Sequence, residues 1–73
     1  NNVEIAEVRL TEKSAGRSVL EMDLRRSFGL NIIALEHNGK TDTEVDPAYI
    51  FKGDEILVVI GKKENITRFE KEK

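Results

Sequence analysis

An α+β fold is predicted by three features of this 73-residue chain: a small mixed or antiparallel β-sheet, one main helix after the first strand, and a short C-terminal helix. The features are two short apolar runs at 30–35 and 56–60, one capped amphipathic segment beginning at Ser18, and an Asn38-Gly39 dipeptide between extended stretches. Apolar runs of this length, bounded by turn residues, read as strands covered on both faces. A chain this short has few residues with which to cover a second face. A partner subunit or a ligand is therefore expected over the remainder.

The elements follow in order. Val3 and Ile5, then Ala6, Val8 and Leu10, place apolar residues first at odd and then at even positions, which predicts a strand with a bulge or bend near Ala6. Residues 11–16 are polar and small and read as a loop. Ser18-Val19-Leu20-Glu21 has the spacing of a capping box, where each side chain satisfies an otherwise unpaired helical N–H. Leu20, Leu24 and Phe28 recur every four residues, Val19 and Met22 widen the stripe, and Gly29 stops the helix.

Asn38-Gly39 favours a two-residue type I′ turn, so 32–37 should fold back onto 40–45, a polar and peripheral strand. Asp46-Pro47 reads as a cap and first position of a single helical turn, whose Tyr49, Ile50 and Phe51 plug one end of the core. Lys52-Gly53-Asp54 is a turn feeding 56–60, a central strand that Gly61 ends. Ile66 and Phe69 among charges predict a short amphipathic helix that frays after Phe69.

Residues 1–73 form one domain, and one this small buries only about 60% of the surface its unfolded chain exposes. Disulfides are excluded because there is no Cys, and a single His without Cys is not expected to build a fold-stabilising Cys/His zinc site, which leaves oligomerisation as the compensation. Twelve basic and fourteen acidic residues give a net charge of -2, so no basic field attracts a nucleic acid polymer. No apolar stretch is long enough to span a bilayer and no signal segment opens the chain, which predicts a soluble cytosolic domain. The start at Asn1-Asn2 without Met suggests a piece excised from a longer protein.

The residue inventory lacks catalytic machinery, so no enzyme is expected: no Cys is present, His37 is the one imidazole, and Ser14, Ser18 and Ser27 sit in loop, cap and helix-end contexts. Asp42, Glu44 and Asp46 alternate like metal ligands but lack the Gly and terminal Glu of a calcium loop, and read as a solvated edge strand. Asn65-Ile66-Thr67 matches a glycosylation acceptor, a chance match without secretion. Arg25-Arg26 is either a charge pair at a helix C-terminus or supplies a cation to an anion beside the next strand. His37 is either an exposed hairpin residue or, if it meets a phosphate, a group that binds more tightly as pH falls through about 6 to 7.

In order, Gly16-Arg17-Ser18-Val19-Leu20, Leu24-Arg25, 29–35 and 53–61 resemble the RCK C-terminal domain, also called the TrkA-C domain, over 3–69. The resemblance implies a cytoplasmic regulatory module for a potassium channel, potassium transporter or cation/proton antiporter, following a nucleotide-binding RCK domain and dimerising through the helix and strand region. Some bacterial members of that family bind cyclic di-AMP between two copies, and on that pattern the resemblance implies Asn31, Ile32 and Ile33 lining the base and His37 the phosphate. Relatives often carry an arginine near the His37 position, and Arg25 or Arg26 would compensate for its absence. A twofold-symmetric dinucleotide suits an isologous dimer, because each subunit then supplies one base surface and one set of phosphate donors. The competing expectation is a structural dimerisation module with no ligand.

Overall fold

The computed structural model describes residues 2–73; Asn1, the first residue of the expected excised piece, lies outside the described residues. Strands β1 (Val3–Arg9), β2 (Asn31–His37), β3 (Lys40–Asp42) and β4 (Ile56–Lys62) form one sheet in the order β1-β4-β2-β3, antiparallel throughout. The apolar run of β4 is internal, as its sequence predicts. Asn38 and Gly39 both adopt positive φ (53° and 78°), the backbone that a type I′ turn demands, and they join β2 to β3. That second hairpin strand ends at Asp42 rather than Val45, because the Asp42 side chain accepts from Glu44 N and turns the chain.

The expected bulge near Ala6 is not there. β1 pairs with β4 in unbroken register from Val3 to Arg9, so its change of parity reflects apolar residues on both faces: Val8 is fully buried while Ile5 is 63% exposed. The register shift lies in β2, between Ile32 and Ala34. It lets Ile32 pair with the buried Val59 and Leu35 with the buried Leu57, although their spacing in the sequence is odd. Both residues therefore serve one core.

The core face of the sheet is closed by helices and by Phe51. The capping box at Ser18 is formed, with Ser18 N donating to Glu21 Oε1 (2.9 Å) and Glu21 N to Ser18 Oγ (3.0 Å). The main helix is delivered in two pieces, α1 (Val19–Met22) and α2 (Leu24–Phe28), with Asp23 between them in the left-handed region at φ 46°. Rotation at Asp23 takes Leu20 out of the predicted stripe and leaves it 69% exposed, whereas Met22 and Leu24 stay buried. Gly29, at φ 67°, ends α2 as expected and turns the buried Leu30 into the sheet.

Residues 46–51 form a turn rather than a helical turn: Asp46 Oδ1 accepts from Ala48 N, and an isolated bridge pairs Ser18 with Ile50. Phe51 is 1% exposed and plugs the core, while Ile50 points outward. Helix α3 (Lys63–Glu72) buries Ile66 and Phe69 and does not fray after Phe69. Its end is tied to the loop after β1, where Thr11 Oγ1 donates to Lys73 O and Lys13 Nζ to Glu72 O. Phe28 packs against Phe69 at 5.1 Å between ring centroids, and the Arg68 guanidinium lies 4.6 Å from the Phe28 ring centre.

Candidate functional site

The break at Asp23 and the turn at Gly29 shape an open groove between the α1–α2 elbow and the start of β2. It encloses about 350 Å³. Arg25 projects from α2 onto one side, Asn31 and Ile32 lie along the strand, and Leu20, Val45 and Pro47 close the rim. The rim is held by backbone bonds, with Leu20 N donating to Pro47 O and Val19 N to Tyr49 O, both at 2.9 Å. A guanidinium, a carboxamide and an apolar floor together suit a flat heteroaromatic ring carrying an anion. Leu20 and Pro47 also border a shelf bearing Ile50, which is 53% exposed, so apolar surface continues out of the groove.

Val45 is shared with a second hollow of about 270 Å³ that contains His37, Lys40, Asp46 and Tyr49. His37 Nε2 stands 3.0 Å from Asp54 Oδ1, which ties the β2–β3 hairpin to the turn before β4. Beside it, Glu55 is fully buried. Burial by itself would raise the Glu55 pKa, but bonds from Lys52 N, Tyr49 OH and Gly53 N outweigh it and hold the carboxyl below its ordinary range. Burial, followed by the bond to the Glu55 carboxylate, pushes the Tyr49 hydroxyl up to about 12. Tyr49 stays a neutral donor and Glu55 a buried anion.

Of the residues the resemblance points to, Arg25, Asn31 and Ile32 meet in the groove and His37 lies in the adjoining hollow. Ile33 sits in the β2 bulge, 39% exposed, and lines neither hollow. Arg26 is exposed on α2, lines neither hollow, and its backbone N–H caps onto Asp23 Oδ1 at 3.4 Å. The sequence reading missed Leu20, Val45, Pro47 and Tyr49. Asp46-Pro47 was the available signal, since a rigid turn brings the residues around it to one place, but a turn signature does not show what it packs against.

Residues 5–73 match the TrkA-C domain family. The Ktr system potassium uptake protein A of Bacillus subtilis (strain 168) is 32% identical over 68 residues, which cover 93% of this chain and 31% of that protein. The chain thus spans about a third of the length of the curated relatives it matches. Among solved structures, the RCK C domain of the potassium transport protein KtrA in complex with cyclic di-AMP superposes with a TM-score of 0.92 at 34% identity, over 97% of this chain and 84% of that one. The RCK_C domain dimer of Streptococcus agalactiae BusR, also in complex with c-di-AMP, shares the fold with a TM-score of 0.81 at 22% identity, over 92% of this chain and 91% of that one. With its sheet order, its helices and nearly its whole length accounted for, the chain belongs to the TrkA-C domain family.

Proposed function

We propose that this domain is the ligand-binding regulatory module of a potassium transport system and that two copies of it enclose cyclic di-AMP. The observation that carries the reading is the meeting of Arg25, Asn31 and Ile32 in one groove, in a chain 34% identical to a KtrA domain solved with that nucleotide. In the bound state Ile32 and the groove floor take the adenine, Asn31 hydrogen-bonds its polar edge, and Arg25 pairs with a phosphate oxygen. His37 approaches the phosphate from the neighbouring hollow. The ligand changes the angle or stability between the two copies and so biases an attached RCK domain or transporter at the cytoplasmic face of the membrane. The domain itself catalyses nothing in this scheme.

Calorimetry with cyclic di-AMP tests the reading. Saturable binding at one nucleotide per two chains is expected, and Arg25→Ala should weaken it by about 10- to 100-fold, the loss of a charge-assisted hydrogen bond. No heat and no thermal shift at millimolar nucleotide would overturn it. The exposure of Leu20 and Ile50 favours a second reading, a dimerisation module without a ligand. That reading expects dimers by light scattering whose stability is indifferent to the nucleotide.

A further inference from the structure

We propose that His37, Asp54 and Glu55 form a binding site for a divalent transition-metal ion such as Zn²⁺. One ligand-type atom from each of the three residues lies within 4.8 Å of the others, an imidazole nitrogen and two carboxylate oxygens. The separation of His37 Nε2 and Asp54 Oδ1, 3.0 Å, is close to the edge of a tetrahedral coordination shell, where donors about 2.1 Å from the ion stand about 3.4 Å apart. Imidazole with carboxylates is a donor set that suits Zn²⁺, Co²⁺ or Mn²⁺.

Charge supplies a second, independent argument. Glu55 is fully buried, and Tyr49 OH and the N–H groups of Lys52 and Gly53, which donate to its carboxyl group, carry no charge. Among the described residues it joins no ion pair. Buried carboxylates are as a rule paired with a cation or bound to a metal. Oε2 accepts from Tyr49 OH and Lys52 N, and Oε1 accepts from Gly53 N. The two adjacent carboxylates face one imidazole, so an added dication reduces an excess of negative charge. Three protein ligands leave a coordination position for water or for an anion. The ion would fasten the β2–β3 hairpin to the turn before β4.

The test is a titration of the domain with Co²⁺ and Zn²⁺ in the absence of nucleotide. One ion per chain, a visible Co²⁺ ligand-field band displaced by Zn²⁺, and a raised melting temperature are expected. His37→Gln and Asp54→Asn should each weaken binding by at least about tenfold. Both variants leave the Glu55 turn intact, so circular dichroism will show them folded. Arg25→Ala, which removes the groove cation, should keep the Co²⁺ band unchanged, separating this site from nucleotide binding. Absence of a band and of a thermal shift at millimolar ion, or binding by His37→Gln as tight as by the original chain, overturns the proposal.

Discussion

Glu55 shows how one residue can hold a whole corner of the molecule. Its carboxylate receives three hydrogen bonds, at 2.7, 2.8 and 3.0 Å, from two turn N–H groups and from the tyrosine of another turn. Glu55→Gln keeps one acceptor oxygen but turns an NH₂ group toward a donor, and a buried donor left without a partner costs about 1–3 kcal/mol. The expected outcome is an unfolding free energy, measured by urea titration, lower by that amount, with Tyr49→Phe losing about 1 kcal/mol. The pH dependence follows from the directions of the shifts. The Glu55 pKa is depressed in the fold, so its contribution is full above its ordinary value of 4.5 and is lost as pH falls through the lower folded value. The Tyr49 pKa is raised, so its contribution is full below its ordinary 10.0 and is lost as pH rises through about 12. Thermal melts across both ranges check the signs; in Glu55→Gln the acid-side loss should be smaller.

At the scale of elements, the elbow at Asp23 and the crossing of Gly61 decide the shape of the site. Aspartate is among the few residues that enter the left-handed region cheaply, because its short side chain can bond locally, here to Arg26 N. Asp23→Val should destabilise the domain by about 1–2 kcal/mol, while Asp23→Gly should stay within about 0.5 kcal/mol of the original. A melting series of the pair separates backbone strain from loss of the cap. Gly61 lies where an added Cβ would stand 2.5 Å from Leu30 Cδ2 and 3.0 Å from Gly29 O. Gly61→Ala therefore overpacks the junction of α2, β2 and β4 and should cost about 1–3 kcal/mol in denaturant titration. Because Leu30 lines the groove, affinity for the proposed nucleotide should fall with it.

At the scale of the whole molecule, the surplus of apolar surface is the determining quantity. The core is small: one cluster of buried side chains that includes Val8, Leu35, Leu57 and Val59 of the sheet, while Leu20, Ile50 and Ile5 remain 69%, 53% and 63% exposed. Leu20 and Ile50 flank the groove mouth, so a second copy seated there would cover them together with any bound nucleotide. Leu20→Glu combined with Ile50→Glu should give a monomer by light scattering without lowering the stability of the separate chain by more than about 0.5 kcal/mol, as expected of exposed positions. It should also abolish nucleotide binding if the pocket is completed by the partner.

Much of this architecture is written locally. The capping box at Ser18, the Asn38-Gly39 turn, the stop at Gly29 and the apolar run at 56–60 act through nearest neighbours and through backbone conformations that few residues tolerate, so they are legible without a structure. The family likeness rests on the same local signals in a fixed order. What the tertiary structure alone decided is where the chain departs from a regular period: the elbow at Asp23, the bulge between Ile32 and Ala34, and the docking of α3 on the loop after β1. Those features arise from packing between residues far apart in sequence, and a periodic reading has no access to them. The candidate sites are tertiary as well: Arg25 meets Asn31 and Ile32, and His37 at the end of β2 meets Asp54 and Glu55 before β4, because antiparallel pairing of these internal strands returns distant segments to one end of the sheet.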